Sequence, residues 1–406
     1  MTAPATARSD TFDLRQLPAS FYTDPYPTYH ALRAAAPVLR CADGSYFLTR
    51  HADLDRVYRD PRSFSSDKQR QFKPVFGDSP LFEHHTTSLV FNDPPLHTQV
   101  RKAVGDALSP RAVAAMAPAL TTLVEGLVDG LPTTGSFDLI EAFACVIPVE
   151  VIGNFLRVPP AERGPLRGWS AAILGALEFG LDAAGLARGN RAVSEFVDYL
   201  RELIRERRRH PSNAPDDVLS RLIQWESNGE RLSEHQLYHQ CIFLLNAGHE
   251  TTTNLIGNGV HALLCQPAAQ AALLAQPALM DTAIEEFLRY DAPVQLGNRL
   301  ALVDVTLGAV DIPAGSTLTL CIGAANRDPA VFAEPDRLWL ARAPNPQLAF
   351  GGGIHTCAGL HVARLEAKIA IASLITRRPR LALAGPPTRA HRARFRGFTQ
   401  LPVSAG

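Results

Sequence analysis

The sequence predicts a mainly α-helical chain with a minor β portion, gathered into one large domain. Three observations carry that prediction. Apolar residues recur with helical spacing through most of residues 96–290. Period-two alternation is confined to short stretches near residues 37–49, 293–322 and 381–406. The 31 prolines are dispersed among 406 residues, so no Pro-rich linker divides the chain, and no internal repeat is present.

The elements follow in order. Residues 1–20 are polar and read as a flexible N-terminal arm, leaving 21–406 as the domain. Tyr26, Tyr29, Leu32 and Ala36 recur at helical spacing. Residues 38–40 and 46–49 flank Asp43-Gly44, a hairpin signal. Residues 62–90 are aromatic and turn-rich and read as a long functional loop. Residues 110–131 and 188–209 are long amphipathic helix candidates. Residues 233–265 open with Ser233-Glu234-His235-Gln236, a capped helix start, and turn apolar on most faces. Such a helix belongs in the centre of a large protein. Residues 294–319 alternate as strands around a Pro313-Ala314-Gly315 turn, 324–350 are irregular, 359–376 are helical, and short β-like pieces follow Leu381.

Composition excludes several classes. Lys plus Arg and Asp plus Glu are both 40, so no net charge steers the chain to nucleic acid or anionic lipid. Six cysteines are scattered without a Cys-x-x-Cys pair, which is no disulfide framework. The most apolar stretch, residues 142–158, is interrupted by Glu150 and Arg157, and the first ten residues lack a signal-peptide pattern. The expectation is a cytoplasmic protein with no membrane span and no nucleic-acid partner.

Four segments could carry chemistry. Phe350-Gly351-Gly352-Gly353-Ile354-His355-Thr356-Cys357-Ala358-Gly359 places a cysteine just before a helix, where backbone amides favour a thiolate. No Gly-Lys-Ser/Thr follows, so a phosphate loop fits poorly. Zinc lacks two further ligands at the usual spacing, whereas one thiolate suits haem iron. Ala247-Gly248-His249-Glu250-Thr251 breaks the apolar helix with polar groups, either as a kink or as a widened groove where Glu250 and Thr251 move protons. Glu286 and Arg289 share a helix face, as an ordinary surface pair or in a charge network with Arg337. His97 and Arg101 also share a face and could grip an anion.

Together, in this order, the four segments resemble a bacterial cytochrome P-450, a haem-thiolate monooxygenase, from about Pro25 to the C-terminus. The resemblance implies the cytochrome P-450 fold, with haem b buried between the long central helix and the cysteine loop. Cys357 corresponds to the axial ligand of haem iron, and Phe350 to the aromatic residue beside the sulfur. Gly351, Gly353 and Gly359 complete the ligand loop, with Ala247 and Gly248 on the opposite, distal face. His97, Arg101, Arg299 and His355 correspond to propionate contacts. Glu250 and Thr251 correspond to the catalytic acid–alcohol pair. Glu286, Arg289 and Arg337 correspond to a structural network.

The pocket candidates are Phe82, Leu89, Phe243 and Leu244, with Ala247, Val294, Leu296 and Phe398. These suit a small hydrophobic or aromatic substrate, with His84 and His85 in the nearby loop as polar contacts. The implied reaction is hydroxylation or O-dealkylation, inserting one oxygen atom from O2. Its two electrons come from an iron–sulfur ferredoxin and ferredoxin reductase, so no nicotinamide site is expected on the chain. A monomer is expected. A peroxide-using haem-thiolate enzyme and a non-catalytic haem sensor are the alternatives.

Overall fold

The computed structural model describes residues 12–105, 108–210, 217–227 and 230–405. Its axis is one helix, Glu234–Leu264, of 31 residues. Ser233 and Gln236 close a capping box at its start, each side chain bonding the other's backbone N–H. The helices Val146–Phe155, Gly164–Gly175, Ala183–Arg209, Met280–Tyr290 and Leu360–Arg377 pack around it. Their apolar faces merge into one large core. Glycine inside a helix costs about 1 kcal/mol relative to alanine. Gly259 has a packing reason for its place: a Cβ there would meet Ile371 Cδ1 at 2.8 Å and Phe287 at 3.1 Å. The central helix thus presses directly on the helix that follows the cysteine loop.

The β portion is small; its main sheet is packed by separate apolar clusters, whereas Phe398, Leu401 and Val403 join the helical core. One five-stranded sheet runs in the order Val38–Arg40, Tyr46–Leu48, Thr317–Cys321, Leu296–Ala301, Phe64–Ser65. Tyr46–Leu48 and Thr317–Cys321 pair in parallel, and the other neighbours are antiparallel. The strand Ser136–Asp138 joins Pro402–Ser404, so the chain's end is stitched to its middle. Two smaller apolar clusters hold the sheet to its surroundings.

Three expectations change. Residues 1–11 of the expected arm lie outside the described residues, but from Phe12 onward the chain is packed. The Phe12 ring meets the Phe47 ring at 4.9 Å, and a helix starts at Ala19. Residues 62–90 are not a loop but hold the strand Phe64–Ser65 and the helices Gln69–Phe76 and Pro80–Thr87, the last capped by Ser79. The expected helix over 110–131 is two helices, Pro110–Ala114 and Ala117–Gly130. Pro118 explains the break, since it has no N–H to continue a helix and fits only a first turn. No single helix among the described residues is long and apolar enough to cross a membrane.

Candidate active site between a thiol loop and the central helix

Gly351 and Gly353 hold left-handed backbone angles, φ +66° and +65°. A Cβ on Gly353 would meet the Tyr58 carbonyl oxygen at 2.1 Å, so this position admits only glycine. The turn closes when the Cys357 N–H donates to the Phe350 carbonyl at 2.9 Å. Gly359 then stands at the head of the helix Leu360–Arg377. Burial pushes the Cys357 thiol up, while the Gly359 N–H and the nearby Arg101 and Arg364 oppose that shift. Arg364 lies 4.8 Å from the Phe350 ring centroid and is held by both oxygens of Glu285.

Basic groups converge on this loop. His97 and Arg101 ride the helix Leu96–Gly105. The His97 ring stands 4.2 Å from the His355 ring, and Arg101 lies within electrostatic reach of Cys357. Arg299 comes from the sheet and packs over the Tyr58 ring at 5.1 Å. Burial, then the positive neighbours His355 and Arg101, push His97 down to about 4. Both ring nitrogens of His97 and the Nε2 of His355 are buried without a hydrogen-bond partner among the described residues. No ion pair among the described residues engages Arg101 or Arg299, although Asp93 stands 3.9 Å from His355.

Unpaired buried polar groups are costly, about 1–3 kcal/mol each. Two guanidinium groups and two unsatisfied imidazoles beside one thiol therefore describe the negative of a ligand. That ligand carries two carboxylates and a metal that accepts a single sulfur. Haem fits this donor set.

The central helix offers the opposing face. Within residues 237–260 accessible surface is kept only by Phe243, Leu244, Ala247, Gly248, Glu250 and Thr251. These positions lie on or beside one stripe, on a helix otherwise buried. The helix is assigned without interruption through these residues, and Thr251 Oγ1 donates to the Ala247 carbonyl at 2.6 Å. Glu250 pairs through Oε1 with Arg392, and its buried Oε2 has no partner. Burial raises the Glu250 carboxyl, outweighing the pull of Arg392. Gly248 makes room for Ile152, whose Cδ1 would lie 2.5 Å from a Cβ there. His249 is buried on the far side, where burial pushes it down to about 4.

The pocket candidates divide. Leu89 is tied to the central helix by its N–H, which donates to Gln240 Oε1 at 3.2 Å. Phe82 packs on the main core from the short helix Pro80–Thr87, and Val294 on the sheet's core. His84 and His85 are buried on that same short helix, not in a loop. Leu296 belongs instead to the cluster of Phe21, Tyr29 and Phe47. Phe398 packs beside Gly257 and against His261, at 4.7 Å between rings. Gly257 is six residues past Thr251, about 9 Å along the helix from the near end of the Ala247–Thr251 stripe.

The charge network exists but its third member is different. Glu286 and Arg289 are fully buried and joined by two hydrogen bonds of 2.7 and 2.8 Å. Arg342, buried as well, donates from Nε to Glu286 at 3.1 Å. Arg337 is an exposed side chain paired with Glu334, and supplies only its carbonyl to Arg289. Spacing alone could not choose between two arginines five residues apart.

Sequence reasoning also passed over Arg392, Arg394 and Arg396. Their side chains reach Glu250, the Leu296 carbonyl and Asp291. Their period-two alternation was a readable signal of a buried basic edge. Lys68 went unnoticed too; it is fully buried, its Nζ lacks a partner, and burial pushes it down to about 7.

The family model for "Cytochrome P450" matches residues 185–378. A vitamin D(3) 25-hydroxylase of Pseudonocardia autotrophica is 38% identical, over 100% of this chain and 98% of its own length. The cytochrome P450 monooxygenase PikC of Streptomyces venezuelae is 37% identical, over 94% of this chain and 90% of its own. The solved structure of P450BioI, in complex with an acyl carrier protein ligated to hexadec-9Z-enoic acid, superposes with a TM-score of 0.90. It shares 33% identity and covers 96% of this chain and 100% of that one.

Proposed function

The chain belongs to the cytochrome P450 family and is a haem b monooxygenase, and we propose that it hydroxylates an apolar organic substrate with electrons from a ferredoxin system. The observation that carries the reading is the basic cradle around Cys357: His97 and His355 carry unpartnered buried nitrogens, and Arg101 and Arg299 have no ion-pair partner among the described residues. In this reading Cys357 binds the iron, and the cradle holds the two propionates. Bound haem supplies the activation of O2 and its transfer to substrate.

The chain's own groups do the rest. The Gly359 N–H and the positive charges of Arg101 and Arg364 act on the Cys357 sulfur. These favour the thiolate over the thiol, as metal ligation requires. Burial strengthens the hold of the Glu250 carboxyl on a proton, while one of its oxygens is anchored by Arg392. Thr251 keeps its hydroxyl on the Ala247 carbonyl; to pass a proton onward it rotates off that carbonyl. Phe82, Leu89, Phe243 and Leu244 exclude water and orient an apolar substrate. The relatives named for vitamin D(3) hydroxylation and crystallised with a fatty acyl chain support an apolar class. Six free cysteines suit a reducing compartment, and we assign the chain from Phe12 onward to one cytoplasmic, monomeric catalytic domain.

The electron donor has a candidate docking face behind the thiol. A depression of about 600 Å³ is lined by Arg342, His361, Arg364 and Lys368, with Arg364 paired to Glu285 and Lys368 to Asp281.

The test is the spectrum of the reduced protein under carbon monoxide, followed by turnover. A strongly red-shifted Soret band, lost in Cys357→His while some haem remains, is expected. Reduced ferredoxin and O2 should then give a product carrying one added oxygen. A red-shifted band surviving in Cys357→His removes Cys357 as the ligand. Product formed with peroxide, but never with ferredoxin and O2, replaces the monooxygenase cycle by a peroxide-driven one.

A further inference from the structure

A second cluster of ligating side chains lies away from the thiol, at the opening turns of the central helix. His235 and His239 stand at i and i+4, on one helix face, with their rings 4.5 Å apart. Glu83, on the short helix Pro80–Thr87, meets His235 Nε2 with a carboxylate oxygen. One ligating atom from each of the three residues lies within 4.8 Å of the other two. Glu83 and His235 are exposed, whereas His239 is buried at 3% exposure with its Nδ1 unpartnered among the described residues.

A surface ion pair explains only part of this. The Glu83–His235 contact joins two exposed side chains and alone adds little to stability. It gives no reason for a third, buried imidazole with an unsatisfied nitrogen in the same cluster, which costs free energy. Two imidazoles at i, i+4 and a carboxylate from a facing element are the donor set of open transition-metal sites.

We propose that Glu83, His235 and His239 bind a divalent transition-metal ion such as Zn²⁺, clamping the helix Pro80–Thr87 to the central helix. Zinc–ligand bonds of about 2.0–2.2 Å bring ligand atoms to about 3.4 Å from one another. Rotation of the two exposed side chains, Glu83 and His235, closes the difference. The other coordination positions face solvent and take water.

The clamp reaches toward the distal pocket. His84 follows Glu83, and its Nε2 accepts from Asn246 Nδ2 at 3.3 Å. Asn246 directly precedes Ala247. At the far end of the short helix, Gln240 donates to the Thr87 carbonyl at 2.6 Å. A metal ion adds a link at the end nearest solvent, so it should quieten a helix that also carries the pocket candidate Phe82. This inference stands independently of the haem assignment.

The experiment titrates Zn²⁺ into tag-free, chelator-treated holoenzyme by calorimetry and follows amide exchange of residues 80–87. One saturable ion per chain is expected, with affinity falling at least tenfold in both His235→Ala and Glu83→Gln. Exchange over 80–87 should slow with Zn²⁺ in the wild type and not in either variant. Cys265→Ser is the necessary control, because Cys265 Sγ lies 3.4 Å from His261 Nε2 and is exposed. Absence of saturable binding overturns the proposal. Binding that persists at wild-type affinity in His235→Ala, or that disappears only in Cys265→Ser, overturns it as well. Both test positions are surface residues, so loss of folding does not confuse the result.

Discussion

Among the clusters of buried charge in this fold, two are treated in opposite ways. Around Glu286 every partner is internal. Its carboxylate accepts from Arg289, Arg342, the Trp339 N–H and Asn345. Arg289 spends its remaining donors on the carbonyls of Asn326, Pro335 and Arg337. Around Cys357 the opposite holds: His97 and His355 carry unpartnered nitrogens, and Arg101 and Arg299 have no ion-pair partner among the described residues. A closed network supports the fold. An open one records the shape and charge of something that binds. The difference shows how to separate structural from functional charge without knowing the ligand.

Breaking the closed network should have the largest effect. Glu286→Ala leaves Arg289 and Arg342 buried without their anion. Removing one member of a buried pair costs about 3–5 kcal/mol. Urea unfolding of the haem-loaded protein at neutral pH measures it. A loss below about 1 kcal/mol would mean water or backbone carbonyls can replace the carboxylate, and the contrast between the two clusters would fail.

Glu366 sharpens the comparison, because its Oε2 has no partner among the described residues yet it lies outside the cradle. It lies on the helix Leu360–Arg377, fully buried, with Oε2 unbonded. Burial raises it from 4.5 to about 8, so the open charge is resolved by a proton and not by a ligand. Its folded pKa lies above its unfolded one. Its stabilising contribution is therefore full below 4.5 and is lost as pH rises through about 8. Glu366→Gln should leave acid stability unchanged and stabilise the protein above pH 8 by a few kcal/mol, on the order of 3. Unfolding curves for wild type and variant from pH 5 to 9 give the test. Parallel curves would show that Glu366 ionises freely.

How much of this was legible beforehand differs between the same regions. The Cys357 loop could be read because its glycines are forced: the φ of Gly353 and its contact with Tyr58 leave no other residue possible. The central helix could be read from its cap and its apolar run, to within a residue at each end. The helices Gln69–Phe76 and Pro80–Thr87 could not, since each is only eight residues long and too short for a clear period. Leu296 and Phe398 were legible as apolar but not as to which core they join, because that depends on register and crossing geometry. The basic edge of Arg392, Arg394 and Arg396 showed its period-two pattern openly. What it faced, Glu250 and Asp291, lies more than a hundred residues away in sequence.

A smaller effect, with an unusual sign, tests the open cluster. His97→Leu removes a buried imidazole that has no partner among the described residues. Replacing an unsatisfied polar group by an apolar one of similar size is neutral or stabilising, by about 1 kcal/mol. The haem-free chain should therefore be no less stable in this variant, while haem is lost faster to a haem-scavenging protein. Destabilisation of the haem-free chain would place His97 among the structural groups instead.

The smallest effect separates two arginines that sequence spacing could not. Arg337 keeps 61% of its side chain exposed and pairs with an equally exposed Glu334. Its contribution to the network is a carbonyl, which any residue supplies. Exposed pairs of this kind contribute about 0.5 kcal/mol or less, so Arg337→Ala should unfold almost with the wild type. Arg342 is buried and donates to Glu286, to the Ala333 carbonyl and to the Glu334 carbonyl. Arg342→Ala should therefore fall in the range of Glu286→Ala. In the double variant Glu286→Ala/Arg342→Ala the losses should be less than additive, because each single change already strands the other's charge. The same cycle run with Arg337 should be additive. Non-additivity with Arg337 would mean its backbone position, and not its side chain, responds to the network.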